Sequence, residues 1–101
     1  MIKALMDEII IERGKKHMED DYGIQECWNK MINILSQDVY ETIAYLESCS
    51  EDQMYYVSEV FEDVSAKLQS KEYIICLRKM DEKFPNLHMT EDIDIAEEMI
   101  I

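Results

Sequence analysis

Two glycines and one proline in 101 residues leave this chain almost without punctuation. Sheet proteins turn on Gly- and Pro-rich connections and flexible linkers need glycine, so neither a turn-rich β pattern nor a linker fits. Apolar residues instead return every three or four positions, the period of amphipathic helices.

Ile2, Leu5, Met6, Ile9 and Ile10 give a first helix that stops near Gly14 or runs on towards Tyr22. In the second, Ile24, Cys27, Trp28, Met31 and Leu35 share one face and Glu26, Asn29, Lys30 and Asn33 the other. Trp28 is thereby expected in the core, and Ser36 is expected to end this helix and cap the next. The third helix, from Gln37 to Ser48, aligns Val39, Ile43 and Leu46. The fourth opens with Ser50 and Gln53 at capping-box spacing and carries the stripe Met54, Val57, Phe61, Val64, Leu68. Ser70 starts a fifth, in which Tyr73, Leu77, Met80 and Phe84 form one stripe and Ile74, Ile75 and Cys76 widen it, as suits a helix between two neighbours. Pro85 terminates it, Thr90 with Glu91 and Asp92 reads as the cap and first turn of a last helix, and Ile93, Ala96 and Ile100 would dock that helix. The terminal Met99-Ile100-Ile101 packs internally or mediates self-association, internal packing being preferred. Short connections make successive helices antiparallel, so the expected fold is all-α: a compact bundle of five or six short antiparallel helices, or a stack of helical hairpins, forming a single domain over residues 1–101.

The charge balance narrows the function. With 23 acidic against 10 basic side chains, the net charge of −13 repels nucleic acid and anionic membranes and accelerates encounter with a basic protein, although charge of this sign also keeps ordinary proteins soluble. Asp7, Glu8 and Glu12 interrupt the apolar N-terminal segment, which therefore lacks signal-peptide character, and no run reaches membrane-spanning length. Three widely spaced cysteines, Cys27, Cys49 and Cys76, form no CxxC pair and no even disulfide framework, which points to a reducing, cytoplasmic setting.

Metal, cofactor and catalytic patterns are not found. Gly14 and Pro85 occupy the positions three before His17 and His88, where a carboxylate-bridged di-iron bundle needs glutamates. The acidic tracts Glu19-Asp20-Asp21 and Asp92-Ile93-Asp94 lack the alternating ligands and central glycine of a calcium loop and read as solvated turns. Cys27 and Cys76 lie on apolar stripes; Cys49, at a helix junction, is open to exposure but has no cationic neighbour in sequence to lower its pKa. No catalytic residue, cofactor or metal ligand is assigned, and the chain is not read as an enzyme. At about 100° per residue, Asp52, Tyr55, Glu59, Glu62 and Asp63 fall opposite the Met54–Leu68 stripe. An aromatic ringed by carboxylates suits a basic partner, tyrosine anchoring the contact and the acids setting its rate. The bland reading of the same residues is a solvated helix face with its tyrosine folded onto a neighbour.

The stretch from Cys27 to Leu87, above all Tyr56-Val57-Ser58-Glu59-Val60-Phe61-Glu62-Asp63-Val64, Gln69-Ser70-Lys71-Glu72 and Lys83-Phe84-Pro85, resembles the small all-helical immunity proteins of bacterial polymorphic toxin and contact-dependent growth inhibition systems. The resemblance implies a cytoplasmic, non-catalytic protein that binds a cognate toxin C-terminal domain, often a nuclease with a basic groove, and blocks it; it supplies no functional residues. An acidic adaptor or regulatory protein, a nucleic-acid mimic that binds basic proteins, and a small enzyme using Cys49 or His88 are the other readings.

Overall fold

The computed structural model describes residues 2–101. Helices α1 (Ile2–Lys15) and α2 (Asp21–Leu35) form a hairpin, followed by α3 (Val39–Ser48), α4 (Glu51–Val57), α5 (Phe61–Leu68), α6 (Lys71–Lys83) and α7 (Thr90–Glu98). A 3₁₀ turn, Ser58–Val60, joins α4 to α5 without reversing the chain, so the two form one interrupted rod, and Pro85–Leu87 makes a second such turn ahead of α7. The result is an all-α bundle of six rods with a radius of gyration of 12.6 Å, close to the ~13 Å of a compact 100-residue domain. Among the described residues there is no strand, and no helix is long and apolar enough to cross a membrane.

The α4–α5 rod is flanked on two sides. The α1–α2 hairpin covers one, α1 packing on α4 and α2 on the 3₁₀ turn, while α7 and α6 pack against α5. Helix α6 in turn lies between α3 and α7, as its widened apolar surface requires. Met54, Val57, Phe61 and Val64 are buried with Leu68 at the margin, and Met6, Met31, Met54, Met80 and Met89 all contribute to the core. Thioether chains fill irregular gaps between short helices that cannot interdigitate over many turns. Ser65, fully buried, donates its hydroxyl to the Ala96 carbonyl at 2.6 Å and ties α5 to α7.

Local signals act at several termini. Ser50 Oγ accepts from the Gln53 N–H at 3.2 Å while Gln53 Oε1 accepts from the Ser50 N–H at 2.9 Å, completing the capping box. Ser70 caps α6 through the Tyr73 N–H, and α6 stops two residues before Pro85. Gln69 ends α5 in the left-handed region (φ 49°), an unusual place for a non-glycine residue. Its carboxamide donates to the Met99 carbonyl and accepts from the Ile101 N–H, which anchors the C-terminal residues at the same time.

Elsewhere the structure differs from the expectation. Ser36 ends α2 but does not cap α3: its own N–H still donates to Ile32, and extended Asp38 takes the cap instead, accepting from Tyr40 and Glu41, so α3 begins at Val39 rather than Gln37. Thr90 lies one residue inside α7, where its hydroxyl donates to Asp81 at 2.7 Å, and the N-cap position belongs to buried Met89. Leu5 is half exposed because α2, α3 and α4 cover the Met6–Ile9–Ile10 side of α1. Ile75 likewise faces outward from α6. At the C-terminus Ile100 packs against the core and Ile101 is fully exposed, so the terminal trio is divided.

Candidate partner-binding surface

Each member of the expected face sits on the α4–α5 rod, yet the rod is not straight there. Ser58 donates its hydroxyl to the Tyr55 carbonyl at 2.6 Å, a local bond that competes with continuous helix, and the next residues tighten into the 3₁₀ turn. Three residues at about 120° rather than 100° turn the following helix by roughly 60° relative to α4. Asp52 and Tyr55 therefore occupy one end of a twisted ridge, and Glu62 and Asp63, both exposed, the other. A small cleft of about 140 Å³ lies beside the second end, where Glu62 and Asp63 meet Asp92 and Ile95 of α7. Partial burial, reinforced by Glu91, raises the carboxyl pKa of Asp92 above its ordinary value.

Glu59 does not belong to this solvated ridge. Its carboxylate accepts both a 2.8 Å bond from Arg13 Nε and a 2.7 Å bond from Arg13 Nη2, a fork-to-fork pair, and Glu59 Oε1 also accepts from the Trp28 indole N–H at 3.0 Å. The physical reason is the second neighbour of the rod: a side chain opposite the Met54–Leu68 stripe still meets the α1–α2 hairpin. Arg13, in the last turn of α1 where a cation also suits the helix dipole, stacks its guanidinium 5.3 Å from the Tyr56 ring centroid. The Glu59 carboxylate raises the guanidinium pKa further above its already high value. Tyr56 meets Tyr55 edge to face with centroids 5.1 Å apart. The Tyr56 ring lies against α1 at Gly14, where a Cβ would stand 3.4 Å from the Tyr56 hydroxyl, an ordinary contact distance. Trp28 is accordingly half-buried at the edge of the core rather than inside it. The bridge is a joint between α1, α2 and the rod, and Tyr55, 54% exposed, is the aromatic it leaves available.

Charge is distributed unevenly between paired and unpaired groups. Among the described residues Asp7, Glu12, Glu59, Asp94 and Glu97 have a Lys or Arg side chain within 4 Å, and the other 18 of the 23 carboxylates do not. Arg78 takes both Asp94 and Glu97, pinning α7 to α6. No group of three or more His, Cys, Asp and Glu among the described residues is placed to hold a metal ion. No protein family, curated protein or solved structure matches this chain.

Cys49, open to exposure in the sequence reading, is buried, as are Cys27 and Cys76. Burial pushes the thiols of Cys49 and Cys76 each up to about 11. At neutral pH the reactive thiolate is then only about one part in ten thousand of either residue. A disulfide reagent should label the native protein only as fast as it opens and label the denatured protein at once. Rapid stoichiometric labelling of native Cys49 would contradict this placement.

Proposed function

We propose that the chain is an immunity-type inhibitor, acting in the cytoplasm without a catalytic step of its own, that binds a cognate bacterial toxin domain and neutralises it. What carries the reading is the unpaired charge: 18 carboxylates without a cationic side chain nearby, five of them (Glu51, Asp52, Glu62, Asp63 and Asp92) exposed around Tyr55 and the α5–α7 cleft. Such a ridge repels phosphate and draws a basic surface, and a nuclease is the toxin chemistry whose substrate groove presents one. Tyr55 offers a rigid aromatic contact amid groups that remain solvated until the partner arrives. The resemblance of the Cys27–Leu87 stretch to immunity proteins supports the same reading.

Spread carboxylates also suit a nucleic-acid mimic, which would bind several unrelated basic proteins where an immunity protein protects against one. Co-expression with the C-terminal domain of a toxin encoded immediately upstream separates them. The expected result is restored growth and a one-to-one complex that survives purification, with no complex on an unrelated nucleic-acid-binding protein. Undiminished toxicity beside well-expressed, folded inhibitor would overturn the assignment for that pair.

A further inference from the structure

Tyr55 is exposed, yet its ring is not free. Side chains one residue apart on a helix point about 100° away from each other and do not ordinarily face. On α4 the rings of Tyr55 and Tyr56 nevertheless meet, at an interplanar angle of 75° with centroids 5.1 Å apart, so each leans towards the other. The lean of Tyr56 is set from α1: its half-buried ring lies against Gly14 and beside the Arg13 guanidinium, 5.3 Å from the ring centroid. Arg13 is in turn kept from swinging away, because Glu59 accepts from both Nε and Nη2 and is itself held by the Trp28 indole N–H. The main chain below is tied as well, the Ser58 hydroxyl donating to the Tyr55 carbonyl at 2.6 Å. Tyr22 and Tyr40, 78% and 72% exposed, have no such ring partner among the described residues.

We infer that Arg13 and Tyr56 are positioning residues for the docking aromatic: they act through Tyr55, holding its ring in the free protein in the orientation that the toxin domain meets. An interface side chain that is still mobile must be immobilised on binding, and fixing one weakens association by about two- to tenfold. Restraint within the free chain removes that loss beforehand. The Glu59 bridge then has a second role besides joining α1, α2 and the rod, since it anchors the fixed end of a chain of contacts whose free end is Tyr55.

This inference rests on the neutralisation reading for its consequence, and one arm of its test needs no partner. In the free protein, NMR relaxation of isotope-labelled tyrosine rings should find Tyr55 ordered on the picosecond-to-nanosecond scale, with Tyr22 and Tyr40 mobile. Tyr56→Leu should mobilise Tyr55, Tyr56→Phe, which keeps the ring, should not, and Arg13→Lys, which keeps the charge but loses the planar face and the fork, should do so in part. A wild-type Tyr55 ring as mobile as that of Tyr22 overturns the inference whatever the partner does. In the complex with the toxin domain encoded immediately upstream, Tyr56→Leu should raise Kd about three- to tenfold, Tyr56→Phe should match wild type, and the loss should vanish where Tyr55 is already replaced in Tyr55→Ala. General destabilisation would weaken both backgrounds alike. A Tyr56→Leu complex within about twofold of wild type, or an equal loss in the Tyr55→Ala background, overturns the positioning role and leaves neutralisation standing. Absence of any complex overturns the neutralisation reading and the docking role with it.

Discussion

Glu59→Ala is expected to lower the thermal midpoint of the free protein by about 10 °C, a result out of character for a surface carboxylate. The substitution strips the acceptor from both Arg13 donors and from the Trp28 indole N–H in one step. The Arg13 and Glu59 side chains are only 15% and 20% exposed, so water replaces the lost bonds incompletely. Breaking a fully buried ion pair costs about 3–5 kcal/mol and an exposed one less than about 1, which places this half-shielded bridge near 2 kcal/mol. At about 4–8 °C per kcal/mol for a domain of this size, the shift is on the order of 10 °C. Glu59→Gln keeps an acceptor for the indole and should lose about half as much. A double-mutant cycle with Arg13→Ala should return a coupling of at least about 1 kcal/mol, since the two groups share one joint. If melting curves of Glu59→Ala superimpose on wild type while partner binding falls, the residue belongs to the interface after all and the joint is unimportant.

The misplacement of Glu59 shows how far the sequence can be read. A helical wheel assigns each helix one buried face, and for most of the bundle one face is enough. Met54, Val57, Phe61 and Val64 were legible from spacing alone, as were Tyr73, Leu77 and Met80, because the centre of an apolar stripe at the 3.6-residue period is buried whatever else covers the flanks of its helix. Ser50, Ser70 and Pro85 were legible because capping and ring closure act within a few residues. The rod from Glu51 to Leu68 has neighbours on both flanks, and no periodicity announces that the side opposite the core stripe is half covered. Two signals were nevertheless present. Trp28 carries a donor that needs an acceptor wherever the ring is shielded, and Arg13, one of only two arginines, stands next to a glycine at the end of α1. Tertiary position also decided Asp38 over Ser36, since cap propensity cannot tell which of two nearby polar residues still belongs to the preceding turn, and burial of Met89 put that apolar residue, which makes no side-chain cap, at the N-cap position ahead of Thr90.

Removing Glu59 from the ridge sharpens the charge prediction. Reversing Asp52, Glu62 and Asp63 to Lys moves the net charge from −13 to −7, each reversal adding two charges, and touches none of the ion pairs among the described residues. The fold should persist, with a Tm no lower than wild type, because like-charge repulsion in the native state is relieved. Association with the toxin domain should slow by about 10- to 100-fold at low ionic strength, the range over which electrostatic steering operates, while dissociation changes less. The wild-type rate should fall steeply with added salt and the variant's should be nearly flat, so the two converge as the screening length shrinks to about 3 Å near 1 M. Net charge alone could produce part of this. Reversing Glu41, Glu47 and Glu82, exposed carboxylates on α3 and α6, also gives −7 and supplies the comparison. A docking ridge acts at contact distance, where screening is weakest and each charge meets a specific counter-charge, whereas the global field is averaged over the whole surface. The ridge triple must therefore slow association several-fold more than the matched triple. Equal slowing would mean that the partner senses only the total charge, and Tyr55 with its neighbouring acids would no longer mark the docking face.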